Sequence, residues 1–452
     1  MTARFAVAHG TPGGAVPCGS EADEASWMLD WTSDRRNAVC DVSALRALAR
    51  QPYPALLADL VDIATAVYLA DIAAVRGRCE EWVRDIELEI PVRDVFFWRS
   101  VSSGLCHLLY TLTHDNIAIR FCEHTGSDAP PPASAGGGPE VDCVCLLSGG
   151  LDSLAGGAML LHAGRRPLFL SHQSGNATVE TAQRQAFAAL DRLAPGSGRH
   201  LGVRMAPGGH GPEAYPYPPP ERRENSRRAR SFLFMTLATV AAHAVGVSEV
   251  YLCENGILTA ALPLTPARSG SLSTRSTHPA VLQLYGDILE AADLSCDVIN
   301  PFLYQTKGEV IRTFLKPLLP PADIHSTVSC WAAGRQNRQC GGCIPCLLRR
   351  ISLLSAGMQD EAYMMDLLAT PAEHRGTDAF GNLVDLLTQA ATFLSRTDFD
   401  LLLEFPQLLD LEDAGVSVAD TVKTFKRHAG EVYQVVQEHF PAAATLMGGM
   451  GA

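Results

Sequence analysis

The sequence predicts an α/β fold: a parallel sheet with flanking helices, preceded by a small α+β domain and followed by a helical region. Three observations carry this prediction. From Val141 onward, short apolar strands alternate with helical stretches. A glycine-rich turn joins the first of those strands directly to a helix. From about Met358 the pattern is mostly helical.

In chain order, residues 1–124 read as an N-terminal α+β accessory domain. Ala55 to Val75 and Trp98 to Thr113 carry helical apolar spacing. Asp85 to Ile90 alternates, with Ile86, Leu88 and Ile90 on one face, and Asn116 to Cys122 reads as another strand. No catalytic constellation stands in this part, so by exclusion it reads as a docking or assembly module. Residues 125–139, rich in Gly, Pro, Ala and Ser, read as a linker. Residues 140–357 form the α/β domain, with strands at Val141 to Leu147, Pro167 to Ser171 and Glu249 to Cys253. Its helices run from about Val179 to Leu193 and from Ser231 to Val245. Residues 206–220, rich in Pro and Gly, read as a mobile loop within it. Residues 358–452 are the helical region.

Composition narrows the function. A chain of 452 residues has room for two or three domains. A net charge of −13 argues against a nucleic-acid-coating protein, although five arginines between Arg222 and Arg230 allow a local basic pocket. The N-terminal stretch lacks the basic start and apolar run of a secretory signal, and no window has the length of a membrane span. A cytoplasmic protein with no membrane partner is expected. Most of the thirteen cysteines then read as reduced, buried thiols.

Ser148-Gly149-Gly150-Leu151-Asp152-Ser153 lies between a buried strand and a helix. Backbone N–H groups at such a turn lack partners, and the helix start carries about half a positive charge. Together they bind a phosphate or pyrophosphate. The two glycines let the backbone approach the anion, and both serines offer hydroxyls. Asp152 either holds the loop or helps place Mg²⁺. Neither the Lys-Ser/Thr ending of a Walker A loop nor Gly-x-Gly-x-x-Gly is present.

Cys330, Cys340, Cys343 and Cys346 are spaced C-x9-C-x2-C-x2-C, with Gly341, Gly342 and Pro345 between them. Four thiolates suit a closed, structural Zn²⁺ site. An iron–sulfur cluster is the alternative.

The loop resembles the SGGxDS signature of PP-loop ATP pyrophosphatases (adenine nucleotide alpha hydrolase-like enzymes). Loop and cysteines in this order resemble the QueC-like 7-cyano-7-deazaguanine synthase family. Two segments agree further: Arg230-Ser231-Phe232-Leu233-Phe234-Met235, and Asn300-Pro301-Phe302 followed by Thr306-Lys307-Gly308-Glu309-Val310. The resemblance spans about Val141 to Leu354. It implies ATP, Mg²⁺ and Zn²⁺, with 7-carboxy-7-deazaguanine adenylated on the way to an amide or nitrile. The departures are Ser231 in place of Asn, Ser171-His172-Gln173-Ser174 after the second strand, and Glu254-Asn255-Gly256 followed by Ser273 to Pro279 in place of the family's Tyr-Pro-Asp-Cys loop. The length and flanking domains resemble QueC-like proteins of bacterial anti-phage defence, the Qat system in particular. That resemblance implies a protein amine as possible acceptor, other defence subunits as partners, and a homodimer.

On this reading, residues 148–153 hold ATP, while Asp152, Arg230 and Lys307 are the catalytic candidates. Arg230 and Lys307 either stabilise negative charge at the α-phosphate or carboxylate or are plain structural cations. Glu309 either orients Lys307 or caps a helix. Arg275 and His278, in the loop after the third strand, are candidate substrate contacts, and His172 is a weaker one. Two other readings stay open: a sulfur-inserting PP-loop enzyme of tRNA modification, and a nucleotide-binding subunit without turnover.

Overall fold

The computed structural model describes residues 2–8, 26–49, 53–77, 82–125, 140–208, 212–265, 275–294, 296–333, 338–359 and 362–448. The expected linker, beyond its first residue, lies outside these, as do Ser273 and Thr274.

The described residues form ten strands: β1 (Ala3–Val7), β2 (Ser26–Leu29), β3 (Ala38–Asp41), β4 (Asp85–Val92), β5 (Asn116–Glu123), β6 (Cys143–Leu146), β7 (Pro167–Gln173), β8 (Arg199–Pro207), β9 (Glu249–Tyr251) and β10 (Asp297–Ile299). They build two sheets, β2-β1-β4-β5 and β10-β9-β6-β7-β8-β3. The first is all parallel. The second is parallel except for β3, which pairs antiparallel with β8. This is an α/β PP-loop-like fold, with a helical C-terminal region.

The order of the second sheet decides where a ligand goes. The chain steps outward from β6 through β7 to β8, then returns to the other side of β6 for β9 and β10. The strand order therefore reverses between β6 and β9, and the crevice beyond their carboxyl ends is where such sheets bind ligands.

Helices cover both faces. Leu151–His162, Ala177–Leu193 and the π-helical turn Ile311–Leu315 share an apolar core on one side. On the other, Arg230–Val245 packs against the N-terminal helix Ala55–Ala73. Ala55–Ala73 is buried nearly all round because it lies between the first sheet and Arg230–Val245, as a helix apolar on every side requires.

The N-terminal part is thus built into the second sheet through β3. A buried charge network strengthens the join. Arg84 bridges Asp71 and Asp115 at 2.5 Å each, and Arg76 reaches Asp115. Two backbone groups extend it across: Asp71 Oδ2 accepts from Ala229 N at 2.9 Å, and Glu224 Oε2 accepts from Arg76 N at 2.9 Å. The N-terminal part therefore fixes the turn that leads into Arg230. Of residues 206–220, read as mobile from composition, 209–211 lie outside the described residues and 212–220 are pinned: Tyr217 Oη donates to Leu69 O at 2.6 Å, and Arg35 stacks over Tyr215.

The C-terminal helices Asp378–Ser395 and Val418–His439 share a separate core with Ile344–Ser355.

Candidate active site

At the carboxyl end of β6 the chain turns through Gly149, whose φ is +83°. A Cβ there would lie 2.9 Å from Gln183 N, so both the backbone and the space require glycine. Gly150 starts the helix Leu151–His162 with no side-chain cap, leaving first-turn N–H groups for an anion. The serines brace the loop: Ser148 Oγ lies 3.0 Å from Ser153 Oγ, and Ser153 Oγ donates to Gly150 O at 3.1 Å. Ser148 itself is exposed.

Asp152 faces inward. Its Oδ2 accepts from Lys307 Nζ at 2.7 Å and from Asn255 Nδ2 at 2.8 Å, while buried Oδ1 has no partner among the described residues. Residues far apart in sequence thus meet at the reversal between β6 and β9. Lys307 opens a short turn, Lys307–Val310, capped by Thr306 and Glu309 in a capping box. Glu309 therefore caps rather than orients Lys307, and Arg427 of Val418–His439 pairs with it at 2.7 Å.

Glu254 follows β9 and is half-buried. Its Oε2 accepts from Thr277 Oγ1 at 2.5 Å, and its backbone N–H donates to Asn300 Oδ1 at 3.2 Å. Burial pushes the Glu254 carboxyl up to about 7. Thr277 opposes the shift, the Asp152 carboxylate adds to it, and Lys307 and Arg230 pull down.

Arg230 is solvent-exposed at the start of Arg230–Val245. Its guanidinium lies 5.5 Å from the centre of the Phe234 ring. His172 packs between Phe234 and Tyr68, with ring centres 5.4 and 5.5 Å away. Its Nε2 donates to Met205 O at 2.7 Å. Burial, with Arg230 and Arg227 nearby, lowers His172 to about 4, so it is neutral at pH 7. The N-terminal helix, through Tyr68 and His172, thus backs Phe234 beneath Arg230.

Arg275 and His278 have their contacts elsewhere. Arg275 Nη1 approaches Thr111 O at 3.5 Å on the helix Val95–Thr113. His278 is 1% exposed at the start of Pro279–Ala291, and its Nδ1 has no partner among the described residues. Burial, then Arg275, lowers it to about 3. From the same loop, Ser276 meets Ser231 at 2.6 Å and Thr277 meets Glu254.

The four cysteines converge with their sulfurs within 4.8 Å of one another. Cys340 to Cys346 is 3.8 Å and Cys343 to Cys330 is 4.0 Å. Tetrahedral Zn²⁺ with bonds of about 2.3 Å places its sulfurs roughly 3.8 Å apart, so the group fits one such ion. A polynuclear cluster needs its thiolates farther apart. Backbone N–H groups of Ala332, Cys340 and Cys343 donate to the sulfurs. Gly341, at φ +82°, has no room for a Cβ beside Met365 O. Just before Cys330, Val328 N donates to Gly149 O at 2.9 Å. The metal-type site thus abuts the phosphate-type loop.

Glu254, Asn255 and Thr277 stand in the segments that the sequence marks as departures from the family's substrate loop, but sequence reading gave them no role of their own. A Glu-Asn pair at the carboxyl end of the strand after Arg230–Val245 was the available signal.

A family model described as "Queuosine biosynthesis protein QueC" matches residues 223–357. That span holds Arg230, Glu254, Asn255, Lys307 and the four cysteines, but not the loop at 148–153. Among curated proteins, the 7-cyano-7-deazaguanine synthase of Cupriavidus taiwanensis is 29% identical over 235 residues, 48% of this chain and 94% of the relative. Those of Syntrophobacter fumaroxidans (27% over 238 residues, 48% and 93%) and Myxococcus xanthus (28% over 227 residues, 48% and 94%) are similar. No solved structure matches. Among the described residues no helix is long and apolar enough to cross a membrane. About half of the chain is therefore similar to 7-cyano-7-deazaguanine synthases along nearly their whole length.

Proposed function

We propose that the chain is an ATP-dependent carbon–nitrogen ligase that adenylates a deazaguanine-type carboxylate, 7-carboxy-7-deazaguanine, releasing pyrophosphate and then AMP. The observation that carries this is the meeting of the glycine loop, Asp152 and Lys307 at the sheet's reversal point.

A carboxylate is a poor acyl donor because its oxygen leaves badly. In the proposed first step that oxygen attacks the α-phosphorus of ATP. The loop's N–H groups, with Ser148 and Ser153, hold the departing pyrophosphate. Lys307, fixed by Asp152, and Arg230 offset the charge that develops at the α-phosphate. Mg²⁺ is proposed to arrive on the nucleotide's phosphates. An amine then displaces AMP to give an amide, and a second activation of the amide oxygen would lead to a nitrile. Zn²⁺ in the four-cysteine site would serve structure only.

The altered loops at Glu254 to Gly256 and Ser273 to Pro279, and the parts of the chain beyond the half that matches the relatives, motivate a larger acceptor than ammonia. We propose a protein amine, in an anti-phage defence setting, acting in the cytoplasm, with a homodimer as the assembly. Incubation with ATP, the deazapurine and candidate partner proteins, read by mass spectrometry, tests the acceptor. A covalent deazaguanine adduct supports a protein amine. Free nitrile formed from ammonia at an ordinary enzymatic rate contradicts it.

A further inference from the structure

We infer that Glu254 is the general base of the amine-transfer step, taking the proton that the attacking nitrogen must lose. This assignment rests on the adenylation reading above.

The argument begins with position. Glu254 lies three residues past the end of β9, the strand beside β6 at the reversal, and its neighbour Asn255 is hydrogen-bonded to Asp152. Asn255 thus links Glu254 to the Asp152–Lys307 pair. Next is orientation. Thr277 fixes Oε2 at 2.5 Å, and Asn300 fixes the backbone N–H. Among the described residues Oε1 carries no hydrogen bond. A carboxylate held on one side and open on the other can accept a proton in a defined direction. Glu254 is half-buried, so the proton can pass on to solvent. The groups facing it are Asp152 at the start of Leu151–His162, Lys307, Arg230 at the start of Arg230–Val245, and Thr277. Their balance, with burial dominant, holds the carboxyl at about 7, where a general base works best near neutral pH.

The step balances simply. The amine nitrogen bonds to the acyl carbon, the bond from that carbon to the AMP oxygen breaks, and AMP leaves as an anion. The nitrogen's proton goes to Glu254 Oε1. No oxidant or further co-reactant is needed.

The test separates the two half-reactions. ATP–pyrophosphate exchange reports adenylation, and amide formation from ammonia reports transfer. Glu254→Gln keeps an acceptor for Thr277. It is expected to leave exchange within a few-fold and to slow transfer about 100-fold or more. Once corrected for the fraction of free ammonia, the rise of transfer with pH near neutrality should also vanish. Glu254→Asp, which keeps a carboxylate, should retain the pH dependence at a lower rate. Transfer at the wild-type rate by Glu254→Gln overturns the assignment, as does equal loss of exchange and transfer in both variants. Absence of exchange in the wild-type protein overturns the adenylation reading, and this assignment with it.

Discussion

Lys307 Nζ sits 2.7 Å from Asp152 Oδ2, and both side chains are about nine-tenths buried. The two residues are 155 positions apart, joined only because β6 and β10 feed the same crevice. Removing one charge strands the other in low dielectric, at a cost of about 3–5 kcal/mol. Lys307→Met is therefore expected to lower stability, and Asp152→Asn with Lys307→Met to recover much of the loss. Neither should restore adenylation, which should fall at least about 100-fold. Denaturant titration beside pyrophosphate exchange measures both.

The two loop glycines should respond differently. Gly149→Ala forces a left-handed backbone on alanine and drives its Cβ against Gln183 N, 2.9 Å away. A loss on the order of 1–3 kcal/mol and failure of ATP binding are expected. At Gly150 an added methyl would find its nearest neighbour 3.4 Å away, and φ is −94°, so Gly150→Ala should fold normally. Thermal unfolding and ATP titration of both variants decide it.

The four-cysteine site should hold one zinc ion per chain, read by elemental analysis. Chelation should remove stability on the order of 10 kcal/mol at most. Because Val328 ties Gly149 to the segment entering Cys330, ATP affinity should fall before the fold is lost. Unchanged ATP affinity in metal-free, folded protein would contradict this link.

Stability should decline below neutral pH. His172 and His278, held at about 4 and about 3, bind protons mainly in the unfolded chain as pH falls from 6.5. Their contribution is present above 6.5 and is lost on acidification. Glu254 acts oppositely: raised to about 7, it favours the folded state at low pH and loses that effect as pH rises from 4.5. Between pH 4.5 and 6.5 His114, also lowered to about 4, joins these two histidines against one glutamate, a net slope of about 2.7 kcal/mol per pH unit, and His200 and His243 are lowered in the same direction. His278→Asn should flatten it in denaturant titrations across that window.

Much of this was legible in the sequence because it is local. The loop at 148–153 announces itself between an apolar strand and a helix, and the cysteines by spacing. β4 shows as alternation, and β5 reads as a strand as well. What stayed hidden depends on tertiary contact. β3 and β8 were missed because β8, Arg199–Pro207, mixes arginine, histidine and glycine among its apolar residues. The joining of residues 1–124 to the second sheet follows from that missed pairing. Glu309 was ambiguous until Arg427 and Thr306 appeared beside it. Arg275 and His278 looked alike in a polar loop, yet the chain turns them toward Thr111 and the interior, and presents Ser276 and Thr277 instead. Only packing could show that.

The most direct test is pyrophosphate release by the purified chain with Mg-ATP and 7-carboxy-7-deazaguanine, beside Lys307→Met. Release that requires both the deazapurine and Lys307 is the predicted result. Absence of release from the wild-type chain, with ammonia or candidate protein acceptors supplied, would contradict the assignment of an adenylating ligase.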